Sequence, residues 1–193
     1  MYILEEEILR MKVLIINGSI HKNGCGMKAI TIISGELQGR GIDTEIHNIS
    51  EFSAAGCTAC GGCLGGGGCV IGDINGLSES FRTAAGLIVT SPVYSGSPSG
   101  AVIALLDRLF QSSKFDKRMK VGAAFVTARR GGCTASFDVI NKYFAISEMP
   151  IATSNYWNLM HTGDDKEGES TALTLAKNMS FLIKCIALGK ERL

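Results

Sequence analysis

Two kinds of apolar pattern take turns along this chain. Residues 11–17 (Met-Lys-Val-Leu-Ile-Ile-Asn) and 86–91 (Gly-Leu-Ile-Val-Thr-Ser) are short, nearly continuous apolar runs rich in β-branched side chains, as expected for strands buried on both faces. Residues 42–49 alternate and predict a second strand, 120–127 predict a fourth, and 149–157 predict a weaker fifth. Between them lie segments of helical spacing. The first runs from 27 to about 40 and is closed by Gly41; a second, at 73–84, has Asp73 as its N-cap. A third at about 99–110 carries Val102, Ile103, Leu105, Leu106, Leu109 and Phe110 on its apolar side, and others follow at 134–147 and about 170–188. Strand and helix in alternation predict an α/β fold: a doubly wound parallel sheet of five strands with helices on both faces. In such sheets ligands bind beyond the carboxyl ends of the strands. Glycine-containing loops follow three of the predicted strands, at 17–26, 91–98 and 127–133, and mark that edge as the candidate site.

Composition narrows the picture. At 193 residues and 46% hydrophobic content, one domain with a proper core is expected, covering 11–193, with residues 1–10 as an amphipathic extension ahead of Met11. A net charge of +1 without a Lys/Arg run excludes an electrostatic footprint for nucleic acid or an anionic membrane. No apolar run looks long enough to span a bilayer, and Glu5-Glu6-Glu7 interrupts what would be a signal peptide. A cytoplasmic, reducing location is expected, where seven cysteines favour metal or redox chemistry over disulfides.

The loop Asn17-Gly-Ser19-Ile-His21-Lys-Asn23-Gly24-Cys25-Gly26 leads into the first helix. Small residues, free N–H groups, a hydroxyl and a helix N-terminus suit an anion, and a monophosphate better than a polyphosphate. It is neither a Walker loop nor a G-x-G-x-x-G fingerprint. The loop Pro92-Val93-Tyr94-Ser95-Gly96-Ser97-Pro98 offers an aromatic face and backbone donors to a flat heterocycle, and the third loop carries Thr127, Arg129, Arg130, Gly131 and Gly132.

Four cysteines, Cys57, Cys60, Cys63 and Cys69, fall in one glycine-rich run, with spacings of two, two and five residues. Such a run can surround a [4Fe–4S] cluster, because glycines permit the positive φ and close approach that wrapping a cluster demands. Zinc held by four thiolates, a C-x-x-C redox dithiol and a clusterless loop are the alternatives. Four consecutive glycines at 65–68 call for something to hold them. Of the other cysteines, Cys185 lies in an apolar helical pattern and is expected in the core, whereas Cys25 and Cys133 sit in glycine loops.

Taken in order, Lys12-Val-Leu-Ile-Ile-Asn-Gly-Ser19, Lys22-Asn23-Gly24, Ser91-Pro-Val-Tyr94-Ser-Gly96, Leu105-Leu-Asp107-Arg108-Leu109 and Asn155-Tyr-Trp157-Asn resemble the NAD(P)H-dependent FMN reductase group of flavodoxin-like proteins. The cysteine run is similar to that of its iron–sulfur flavoprotein branch. The resemblance spans nearly everything from Met11 onward. It implies a flavodoxin-like sheet of order 2-1-3-4-5, bound FMN, NAD(P)H as co-substrate, and a homodimer or homotetramer. FMN phosphate would lie on Ser19, His21, Asn23, Gly24, Cys25 and Gly26. The isoalloxazine would lie against Pro92, Val93, Tyr94, Ser95, Gly96 and Ser97, with Thr127, Arg129, Gly131 and Gly132 at its far edge. His21 stands where the family has Arg, and Cys25-Gly26 where it has a hydroxyl residue, so phosphate would lean on backbone amides. His161 and Trp157 correspond to the region that covers a neighbouring subunit's flavin. A [4Fe–4S] cluster on the cysteine quartet would exchange electrons singly with the flavin, fed by NAD(P)H or by a carrier protein such as ferredoxin. A clusterless NAD(P)H:FMN or quinone reductase is the enzyme alternative; a non-enzymatic electron carrier or flavin redox sensor is the other.

Overall fold

The computed structural model describes residues 11–21 and 23–190. The proposed extension at 1–10 and the Lys22 of the first loop lie outside them. In chain order the elements are β1 (Lys12–Asn17), α1 (Cys25–Gly39), β2 (Asp43–Asn48), α2 (Asn75–Thr83), β3 (Gly86–Tyr94), β4 (Ser97–Pro98), α3 (Gly100–Ser112), β5 (Val121–Ala128), α4 (Cys133–Ile146), β6 (Leu159–His161) and α5 (Lys166–Lys190). The sheet has the order β2-β1-β3-β5-β6, all pairs parallel, with β4 folded back antiparallel on the end of β3. Leaving out the short β4, this is the expected 2-1-3-4-5 order.

The period of two along each strand divides the core into two layers. Val13, Ile15, Ile88, Ala123 and Phe125 pack with Ile30, Ile33 and Leu37 of α1 and with Leu175, Met179 and Ile183 of α5. Leu14, Ile16, Leu87, Val89, Ala124 and Val126 pack on the opposite face, against α2, α3 and α4 through Phe81, Leu105, Leu109, Ile140 and Phe144. Helices therefore cover both faces, and the strand ends point to one edge.

Four expectations are revised. β3 runs through Pro92 to Tyr94, because β1 has already ended opposite Thr90. On that side no partner asks for the N–H that Pro92 lacks, and its carbonyl accepts from Ser99 N at 3.2 Å. The predicted fifth strand at 149–157 is interrupted: Ile151 makes an isolated bridge to Gly122, the chain then swings out with Tyr156 and Trp157 exposed, and pairing resumes at Leu159. Cys185 is exposed, on the outer side of α5. Finally, α5 is long and apolar enough for a membrane span, contrary to the sequence reading, yet it buries Leu175, Ala176 and Met179 against the sheet as a core helix.

Candidate functional site

Three loops at the carboxyl edge touch one another through glycines. Gly18 lies on β3, where its N–H donates to Thr90 O at 3.0 Å, and a Cβ there would stand 2.2 Å from that same oxygen. Only glycine permits this approach. Asn17 Oδ1 accepts from Ser19 N at 3.1 Å and Ser19 Oγ from His21 N at 3.1 Å, so the turn is wound around its own side chains. Gly24 is the N-cap of α1; no side chain among the described residues caps that end, and its first turn carries no acid. Orphan N–H groups and the helix dipole are thus left for an anion. Ser19 is buried, His21 and Asn23 are exposed, Cys25 is half-buried and Gly26 is buried in the first turn.

The second loop is a tight hairpin. Tyr94 pairs with Ser97, and the two central residues, Ser95 and Gly96, have φ of 52° and 76°, the left-handed pair of a type I′ turn. Pro92 and Val93 are half-buried behind it, while Tyr94, Ser95, Gly96 and Ser97 face outward. The third loop docks on this hairpin. Gly132, the N-cap of α4, has a φ of 89°, and a Cβ on it would meet Gly96 Cα at 2.7 Å and Val93 Cγ1 at 2.9 Å. Thr127 is buried, Arg129 and Gly131 are exposed, and His161 Nδ1 stands 3.2 Å from Ala128 O at the rim. Burial raises the pKa of the Cys133 thiol, which begins α4.

The cysteine run forms a separate place. Cys57, Cys60, Cys63 and Cys69 all line one cavity of about 410 Å³, whose other wall is Asp107, Arg108, Gln111 and Ser112 of α3. Among the described residues, none of the three flavin-loop segments lines it. The loop is wound through left-handed positions at Ala59, Gly61, Gly66 and Gly68. Asn75, at the head of α2, holds its end by accepting from Cys69 N at 2.9 Å and donating to Cys69 O at 3.2 Å. All seven cysteines are free thiols; Cys57 and Cys60 are exposed, Cys63 and Cys69 half-buried. Among the described residues no three His, Cys, Asp or Glu side chains are gathered closely enough to hold a metal, so the four cysteines share a cavity without forming a closed ligand set.

Asp73 is where the sequence reading fails, and Arg108 makes a structural ion pair with it. Asp73 does not cap α2, whose N-cap is Ile74. Its carboxylate accepts from Ser53 N at 2.6 Å and pairs with both Nη atoms of Arg108, tying the entrance and exit of the cysteine segment to α3. Burial raises the Asp73 pKa, but the guanidinium and the backbone donors outweigh it and hold the carboxyl below its ordinary value. Two of the residues lining the cavity carry buried polar atoms, Arg108 Nε and Ser112 Oγ, with no partner among the described residues. The signal was present in the sequence: Arg108, Gln111 and Ser112 recur at i, i+3 and i+4, a polar stripe on an otherwise apolar helix.

The chain has known relatives. Residues 11–164 match the NADPH-dependent FMN reductase family. An iron–sulfur flavoprotein of Methanosarcina thermophila is 31% identical over 94% of this chain and all of its own length. Another, Iron-sulfur flavoprotein MJ1083 of Methanocaldococcus jannaschii, is 28% identical over 91% of this chain and 99% of its own. Among solved structures, a flavodoxin from the domain Archaea superposes with a TM-score of 0.63 at 14% identity, over 90% of this chain and 99% of that one.

Proposed function

Because the chain belongs to the NADPH-dependent FMN reductase family, in its iron–sulfur flavoprotein branch, we propose an FMN-dependent oxidoreductase that takes electrons from NAD(P)H or a reduced carrier such as ferredoxin. The observation that carries this reading is the contact of three glycine loops at the sheet edge, Gly18 on Thr90 and Gly132 on Gly96. They leave an uncapped helix end beside a Tyr-bearing hairpin and so suit a flavin monophosphate. The backbone N–H groups of Cys25 and Gly26 would hold the phosphate with Ser19, Gly24 N–H being given to His21 O, and those of residues 93–97 would orient the ring. Arg129 and Thr127 border the ring's far edge.

Cys57, Cys60, Cys63 and Cys69 would hold a [4Fe–4S] cluster; this is supported by the cavity that all four line and by Arg108 and Ser112, two further lining residues with unpartnered buried donors of the kind sulfide and thiolate sulfur accept. FMN held by these loops would supply two-electron hydride chemistry, with NAD(P)H oxidised to NAD(P)⁺, and a cluster held by the cysteines would supply one-electron transfer to an acceptor. The protein's part is to fix both groups on one rigid sheet–helix frame. Gly100, which opens α3, follows closely on the flavin hairpin, and Arg108 lies about 12 Å farther along the helix, so one element spans both sites. A homodimer or homotetramer is part of the proposal, with exposed Tyr156 and Trp157 available for a subunit contact.

A clusterless NAD(P)H:flavin or quinone reductase is the second reading, favoured by the exposure of Cys57 and Cys60. Anaerobic mixing with NADH and NADPH in turn tests the enzymatic claim. The flavin absorbance is expected to bleach with at least one of them, and a quinone or dye acceptor to sustain turnover. Bound FMN that stays oxidised with both nucleotides, and is reduced only by a carrier protein, would make the chain an electron carrier instead.

A further inference from the structure

Resting on the cluster reading above, we propose that Arg108 Nε–H and Ser112 Oγ–H are the donors that set the reduction potential of the cysteine-held cluster. Arg108 is 1% exposed and heads the fully buried side chains by size. A guanidinium is rarely brought so deep unless each of its edges is used. Its Nη atoms are occupied by Asp73 and by Ser53 O, the latter at 2.7 Å. Its Nε is not, and it belongs to a residue on the wall shared by the four cysteines.

Ser112, one turn farther on the same face, is also buried and its hydroxyl has no partner among the described residues. Both orphan donors belong to residues on one stripe of α3 that line the cavity of the four cysteines, where a bound sulfur acceptor would satisfy them. Cys63 is tied to this helix as well, its thiol donating to Gln111 O at 3.7 Å.

The physical consequence has a definite sign. A hydrogen bond to sulfide or thiolate sulfur withdraws electron density from the irons and favours the reduced cluster, so each donor raises the potential. Because Asp73 neutralises the guanidinium, what Arg108 adds is chiefly an oriented N–H rather than a net charge. A guanidinium does not titrate in the working range, so its contribution is independent of pH.

The test uses the full chain, reconstituted anaerobically with iron, sulfide and FMN, and measures the cluster midpoint potential by EPR-monitored titration. Arg108→Lys keeps the positive charge and the reach to Asp73 but lacks the branch-point N–H. It is expected to hold iron and FMN like the parent while its cluster potential moves negative and its flavin potential stays put. Ser112→Ala, which leaves the Asp73 pair untouched, is expected to shift the same way by a smaller amount. An iron-loaded Arg108→Lys with the parent's potential overturns the proposal, and so does iron loss in Arg108→Gln with no shift in Arg108→Lys, since Arg108 is then only a clamp on the loop. Should neither Arg108 variant hold iron, Ser112→Ala decides by the presence or absence of its negative shift. A parent protein that binds FMN but no iron overturns the cluster reading itself, an outcome distinct from all of these.

Discussion

At Gly18 a methyl group would stand 2.2 Å from Thr90 O and 2.5 Å from Val102 Cγ2, neither of which can withdraw without moving a central strand or the buried head of α3. Gly18→Ala is therefore expected to push the first loop off β3 and break the Gly18 N–Thr90 O bond. The cost in unfolding free energy is about 1–3 kcal/mol, the usual toll of overpacking. The same displacement should weaken FMN binding by roughly tenfold or more, since about 1.4 kcal/mol of misplacement is enough for that. Urea unfolding of the apoprotein and quenching of flavin fluorescence measure the two effects. A variant that melts and binds like the parent would show that the close approach is not required. This glycine was legible in the sequence only as a member of a glycine loop; that it is the one pressed on β3 depends on a backbone contact between residues 72 positions apart.

Among the elements, β1, β2 and α2 are joined by one carboxylate. Glu45 of β2 accepts from Lys12 Nζ at 2.5 Å and Ser80 Oγ at 2.5 Å, and it meets His47 Nε2 at 2.8 Å. Burial works to raise its pKa, but the bonds from Lys12, Ser80 and His47 together bring it from 4.5 down to about 2. A carboxylate depressed on folding stabilises the fold in full above its unfolded value and loses that contribution as the pH falls toward the folded one. Stability is thus expected to fall between about pH 4.5 and about pH 2, and Glu45→Gln to flatten that part of the profile while lowering stability near neutrality. Urea midpoints at pH 6 and pH 3 for both proteins check the sign; an equal drop in the variant would assign the acid lability elsewhere.

Much of this level was legible. Continuous apolar runs at 11–17 and 86–91 could only be strands buried on both faces, and the helical stripes fell where the helices stand. What was not legible turned on tertiary partners. Pro92 signals the end of a strand, and the strand passes through it because its neighbour β1 stops first. Residues 149–157 have strand composition, but only Ile151 finds a partner before the edge resumes at Leu159. Asp73 has the right residue type and position for an N-cap, and is drawn away by an arginine 35 positions on.

At the scale of the molecule, two sites share one frame. The flavin loops occupy the carboxyl edge of the sheet, and the cysteines open into a cavity flanked by the second half of α3. The fold separates the cysteine run from the loops that precede and follow it in sequence, since none of those loops' described residues lines the cysteine cavity. The separation implies that the cysteines can be changed without touching the flavin. The most direct measurement is the iron, sulfide and FMN content of the anaerobically reconstituted full chain, compared with Cys60→Ser. The account predicts about four irons and four sulfides per FMN in the parent. In Cys60→Ser it predicts loss of the broad visible absorption with FMN retained. A parent that holds FMN without iron, or a variant that loses FMN together with its iron, would contradict it.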